Sequence, residues 1–175
     1  MADQPSGSLL LGGIDHSKYT GNMAVIPFIP TPPGNAVDRA MVPWTSFSYT
    51  TVGADPVNYE VSMAMLIDTG TSWLVLPRPL VDSIFQKFKV DNSGSRPLVP
   101  CTVGNIDANF TFGINGDPRA QIIMPLSSLI RQKWVDDNPK KGPVVDEAGK
   151  VCTMAITPTN DLYGVLYFAF VFVYN

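Results

Sequence analysis

The sequence predicts an all-β domain with two short helices, and three observations carry that prediction. Sixteen prolines and fourteen glycines are spread along 175 residues, a distribution that favours many short elements joined by turns. In "YEVSMAMLI", Tyr59, Val61, Met63 and Met65 alternate with Glu60, Ser62, Ala64 and Leu66, the period of two of a strand. Asn115-Gly116 lies between two apolar runs, where residues that tolerate positive φ make a hairpin.

The elements follow in chain order. "SLLLGGID" and "NMAVIPFIP" read as strand, turn and strand, and residues 30–34 as a loop. The alternating run from Tyr59 leads directly into Asp68, and "WLVLP" returns as a further apolar strand. "PLVDSIFQKF" reads as a helix, with Pro79 at its start and Leu80, Val81, Ile84, Phe85 and Phe88 at helical spacing. In "IDANFTFGINGDPRAQIIMP", Ile106, Ala108, Phe110 and Phe112 fall on one face before Ile122-Ile123-Met124 returns. "PLSSLIRQKW" predicts a second helix, with Leu126, Leu129, Ile130 and Trp134 on one side. Residues 138–149 read as a loop, and "LYGVLYFAFVFVY" as core strand. No internal repeat divides the chain, so residues 1–175 are expected to form one domain.

Composition excludes several function classes. Charged residues make up 15% of the chain, against roughly 25% in an average soluble domain. The net charge is -3, and no Lys/Arg run exceeds Lys140-Lys141, so nucleic acid is not an expected partner. The longest apolar stretch is shorter than the roughly 20 residues that span a bilayer, so no membrane span is expected. The start, "MADQPSGSLLLGG", lacks a basic n-region and has a three-residue apolar run, so no signal peptide is expected in this chain. Cys101 and Cys152, with one histidine in the chain, do not supply a zinc site. They are either a single disulfide or two buried free thiols. Asn109-Phe110-Thr111 is an N-glycosylation sequon.

The chemistry concentrates in residues 66–77, "LIDTGTSWLVLP". An apolar strand delivers Asp68 and breaks at Gly70, where the backbone can turn sharply and offer its N–H groups. Thr69, Thr71 and Ser72 place three hydroxyls near the carboxylate, and such donors keep a carboxylate ionised in a poorly solvated place. Taken alone, the run also fits a polar loop between two strands.

In context, the chain from residue 7 to residue 175 resembles the C-terminal lobe of pepsin-like aspartic proteases, the secreted fungal enzymes in particular. The matching pieces stand in the family's order. "GSLLLGGIDHSKYTGNMAVIPF" is similar to the stretch that opens that lobe, and "MLIDTGTSWLVLP" to the second catalytic motif. A helix, a cysteine after a proline-containing strand, the "ANFTFGINGDP" hairpin and a second cysteine follow, and "LYGVLYFAFVFVYN" resembles the closing hydrophobic-hydrophobic-glycine motif.

The resemblance implies an acid-protease lobe of the six-stranded β-barrel or sandwich type. Asp68 would be the catalytic aspartate and Thr69 would bond across the lobes. The Gly70 N–H and the Thr71 hydroxyl would hold the carboxylate, with Ser72 beside them. Leu66 would line a substrate subsite, and Cys101 and Cys152 would form the lobe's disulfide. It also implies a polypeptide substrate, an extracellular or vacuolar location, and no metal or other cofactor.

Asp-Thr-Gly occurs once in the chain, whereas the family's chemistry uses two aspartates that share a proton. The first motif and the flap that covers substrate belong to an N-terminal lobe that this sequence does not hold. After Gly164 the family usually has Asp or Thr; here the residue is Val165. An N-terminal lobe or a second copy is therefore the expected partner for activity. The alternatives are a non-catalytic relative that binds peptide or protein, and a homodimer that completes its own dyad.

The remaining candidates read as structural. His16 has no companion nucleophile motif and is expected at the surface. Asp136-Asp137 and Asp146-Glu147 lack the spacing of a calcium loop, and Trp44, Trp73 and Trp134 are expected in the core or at a lobe interface.

Overall fold

Two long strands with opposite faces of opposite character organise the protein. In the computed structural model, residues 11–13, 15–18, 24–31, 34, 36–68, 73–132, 151–159 and 166–169 are described, with 132 and 166–169 described by their backbone alone. Strand β1 (Met41–Thr51) pairs antiparallel with β2 (Val57–Asp68). β3 (Leu74–Pro77) leads directly into the helix α1 (Arg78–Phe88). β4 (Leu98–Pro100) precedes a 3-10 helix, Cys101–Asn105. β5 (Ala108–Ile114) and β6 (Gln121–Pro125) form a hairpin. After the 3-10 helix Leu126–Leu129 come β7 (Ile130–Gln132), β8 (Val151–Met154), β9 (Ile156–Thr159) and β10 (Leu166–Ala169). Among the described residues these strands make a five-stranded sheet, β10-β2-β1-β5-β6, and smaller sheets β3-β9 and β4-β8-β7.

Register builds the core in rows. Val57, Tyr49, Phe110 and Met124 stand side by side on four strands, and Tyr59, Phe47, Phe112 and Ile122 form the next row. Residues directly opposite share a face, so this face becomes an aromatic layer. Phe47 is at its centre, stacked on Phe110 with centroids 5.8 Å apart and tilted against Phe112 at 5.1 Å. Helix α1 covers the layer with Leu80, Val81, Ile84, Phe85 and Phe88, all buried. Its predicted apolar positions are the ones that face inward, and Pro79 lies in its first turn. The helix ends in a left-handed residue, Lys89 (φ 52°), whose neighbour Val90 donates to the Phe85 carbonyl at 2.9 Å.

The predicted hairpin is present. Asn115 and Gly116 both have positive φ, 55° and 67°, and the Asp117 N–H closes the turn on the Ile114 carbonyl at 3.1 Å. Ile106 does not join the strand's inward face: it follows the 3-10 helix and is 40% exposed.

Two further sequence expectations are corrected. The predicted second helix shrinks to the single 3-10 turn Leu126–Leu129, with both leucines buried. Ile130, Arg131 and Gln132 leave it to pair with Met154, Thr153 and Cys152, because strand partners supply the hydrogen bonds that a longer helix would have made internally. Residues 24–30 carry no strand either. Among the described residues their backbone is tied by the Ile29 N–H, which donates to the Met41 carbonyl at 2.9 Å. The strand expected from "SLLLGGID" lies mostly outside the described residues, as do Trp134, residues 138–149 and all of the closing run except Leu166–Ala169.

Candidate active site

Strand β2 delivers Asp68 at its C-terminal end, half-buried. The alternation of β2 holds from Val57 to Ser62; from Met63 onward no side chain is fully exposed, and Met65 and Leu66 are buried. Here β10 runs parallel beside β2 and pairs Leu166 with Met65 through to Ala169 with Asp68. On the other flank the Ile67 N–H donates to the Ala40 carbonyl at 2.9 Å. The carboxylate-bearing residue is thus fixed between backbone neighbours on two sides, rather than carried on an open loop.

Thr69, Gly70, Thr71 and Ser72 lie outside the described residues. The chain returns at Trp73, half-buried, and the Leu74 N–H bonds the Ala155 carbonyl at 2.9 Å as β3 joins β9. The motif therefore bridges the end of the large sheet and the start of the small one, and both of its anchors are hydrogen-bonded.

Leu66 is buried, opposite Met41 on β1 and beside Tyr167 on β10. Ile67 faces the other side of the strand. There it lines a cavity of about 320 Å³ with Val42, Ile114, Ile122, Ala24 and Ile26, and Arg119 also contributes. The wall is assembled from residues on four strands and an extended segment, so sequence reading, which singled out Leu66, did not find it. No local pattern marks them.

Cys101 and Cys152 are bonded, with Cα atoms 4.9 Å apart, joining the 3-10 helix after β4 to the centre of β8. Asn109 is half-buried on β5. His16 is exposed in the 3-10 helix His16–Lys18, Trp44 is fully buried, and the four acidic loop residues at 136, 137, 146 and 147 lie outside the described residues. Among the described residues no group of three His, Cys, Asp or Glu side chains could hold a metal ion, and no helix is long and apolar enough to cross a membrane.

Three surface carboxylates are held below their ordinary range. The Arg119 guanidinium, at 2.8 Å and 3.1 Å, lowers Asp117, helped by the Arg119 N–H. The Ser93 hydroxyl at 2.7 Å, with its own N–H, lowers Asp91. The Thr31 hydroxyl lowers Asp38.

A family model described as eukaryotic aspartyl protease matches residues 1–161. Barrierpepsin of Saccharomyces cerevisiae is 27% identical over 167 residues, covering 91% of this chain and 26% of that protein. Secreted aspartic protease 5 of Candida albicans is 28% identical over 144 residues, covering 76% and 29%. Pregnancy-associated glycoprotein 1 of Bos taurus is 32% identical over 122 residues, covering 65% and 28%. The chain thus spans between 26% and 29% of the length of these three relatives.

Proposed function

The chain belongs to the eukaryotic aspartyl protease family, and from that premise we propose that it is the C-terminal lobe of a pepsin-like endopeptidase, supplying one of two catalytic aspartates, Asp68. The observation that carries this reading is the position of Asp68. It ends a strand pinned on both flanks and opens the single Asp-Thr-Gly of the chain. A cleaving centre of this class needs a carboxylate held still enough to share a proton with a second one.

The chemistry follows from the pair. Two close carboxylates cannot both ionise, so they hold one proton between them. The ionised member takes a proton from a water as it attacks the scissile carbonyl, and the protonated member donates to the carbonyl oxygen. Asp68 is one member; the other comes from an N-terminal lobe. By the family resemblance, holding the Asp68 carboxylate falls to the Gly70 N–H and the Thr71 hydroxyl, with Ser72 beside them in sequence, and the bond across to the partner lobe falls to Thr69. Leu66 borders the substrate on one face of β2.

Apolar side chains stand exposed on the segment ahead of β1, Val25 at 87%, Phe28 at 56% and Val37 at 57%, and a docked partner lobe would bury them. The substrate is polypeptide. The Cys101–Cys152 bond supports passage through an oxidising compartment, which agrees with an extracellular or vacuolar place of work.

The test uses the natural gene product and its Asp68→Asn variant, incubated with an unfolded protein between about pH 3 and pH 6, with and without pepstatin. Cleavage that pepstatin and the substitution both abolish is the expected result. Equal cleavage by the variant overturns the role of Asp68. Absence of cleavage by a folded wild-type protein leaves a peptide-binding relative. Activity rising steeply with concentration marks a dyad completed by a second copy.

A further inference from the structure

The face of the large sheet opposite the aromatic layer has a different composition. Asn58, Ser48, Thr111 and Ile123 stand in one row across four strands, and Glu60, Ser46, Gly113 and Gln121 in the next. Toward the end of the sheet the row is Thr50, Asn109 and Pro125. Most of this surface is hydroxyl and amide. Asn58, Glu60, Gln121 and Ile123 are exposed, and past Thr50 the turn residues Val52 to Pro56 are exposed as well.

Asn109-Phe110-Thr111 is the one N-x-Ser/Thr sequon of the 175 residues. Alternation on β5 sends Phe110 into the core, where it is fully buried, and places Asn109 and Thr111 together on the outward face. The half-buried Asn109 side chain therefore lies on the face away from the packed layer, one row from the open end of the sheet.

We propose that Asn109 carries an N-linked glycan that lies across this hydroxyl-rich face toward the β6 edge. The inference rests on the secretory passage proposed above. In the transfer, Asn109 Nδ2 attacks the anomeric carbon of the first N-acetylglucosamine of a lipid-pyrophosphate-linked oligosaccharide. The N–C bond forms, the C–O bond to pyrophosphate breaks, and the amide proton leaves with the lipid pyrophosphate. Addition precedes folding, because β1 and β6 fix the sequon backbone on both sides once the sheet forms. In the folded protein the glycan covers Ile123, which is 61% exposed on β6. β6 is the last strand of the described sheet, and a bulky polar group there obstructs pairing with another chain.

The test is mass spectrometry of the Asn109 peptide from the natural gene product, before and after peptide N-glycosidase. The expected result is a peptide recovered only after the enzyme, with Asn109 converted to aspartate. Asn109→Gln and Thr111→Ala each remove the glycan, whereas Thr111→Ser keeps it. Recovery of the peptide with an unmodified Asn109 amide overturns the proposal. The state of Cys101 and Cys152 in that same sample then separates two failures. An intact disulfide means that the proposal alone has failed; two free thiols mean that the secretory reading has failed with it.

Discussion

The Ser83 hydroxyl of α1 lies 2.6 Å from the Tyr59 hydroxyl of β2 and 3.4 Å from that of Tyr49 on β1. Two tyrosines and a serine thereby tie the helix that follows the Asp-Thr-Gly segment to the strand that leads into it and to that strand's neighbour β1. Ser83→Ala is expected to destabilise the protein by about 1 kcal/mol, the usual net worth of one such hydrogen bond. Tyr59→Phe should cost a similar amount, and the double variant no more than either single one. Denaturant unfolding of the three variants checks this; fully additive losses would mean that the two hydroxyls act independently.

A Cβ built on Gly113 would lie 2.1 Å from Ser46 Oγ and 3.4 Å from Ser46 Cβ. Against β5, β1 bulges at this level, where the register shifts between Trp44 and Ser46. The Thr45 hydroxyl fills the bulge, donating to the Gly113 carbonyl at 3.1 Å and accepting the Gly116 N–H at 3.0 Å. Gly113→Ala is expected to cost roughly 1–2 kcal/mol by overpacking. Because the clash is with a single hydroxyl oxygen, Ser46→Ala should remove most of the penalty. A thermal melt of the double variant as low as that of Gly113→Ala alone would show that the backbone, not the hydroxyl, sets the limit.

The Cys101–Cys152 bond closes a sequence separation of 51 residues. Loop-closure entropy for that length gives a loss of about 4 kcal/mol when both cysteines are replaced by serine. Equilibrium unfolding of the oxidised protein and the double-serine variant measures it. A difference near zero would place the stabilising force of this region in the β4-β8-β7 pairing instead.

Acid weakens the fold through carboxylates whose hydrogen bonds favour the charged form. Asp117, Asp91 and Asp38 lie below their ordinary value of 3.8 when folded. Each contributes stability above that unfolded value and loses it as pH falls through the lower, folded one. Unfolding midpoints should therefore decline below roughly pH 4. The decline should be shallower for Asp91→Asn and for Asp117→Asn; slopes identical to wild type would assign the acid sensitivity to other groups.

Local chemistry made much of this molecule legible. α1 is written in the spacing of Leu80, Val81, Ile84, Phe85 and Phe88, and the β5-β6 turn in Asn115-Gly116. Both depend on neighbours a few residues away, and both form as read. The stretch from Leu126 to Trp134 has helical spacing too, yet Ile130–Gln132 becomes a strand because Cys152–Met154 lies alongside to receive its hydrogen bonds. The cavity wall was equally invisible, since Ile67, Val42, Ile114 and Ile122 meet through register alone.

By itself, then, the sequence determined that a strand ends in Asp68, that it opens the chain's one Asp-Thr-Gly, and that the surrounding pieces follow the order of an aspartyl protease. Tertiary structure decided what stands beside that aspartate: Ala169 on a parallel strand and the Ala40 carbonyl bonded to Ile67. It also decided which face of β5 carries the aromatic core and which carries Asn109 and Thr111. Periodicity is set within a few residues of chain. Strand neighbours and register are set by closing long loops around a common core, a choice that no short stretch of sequence makes alone.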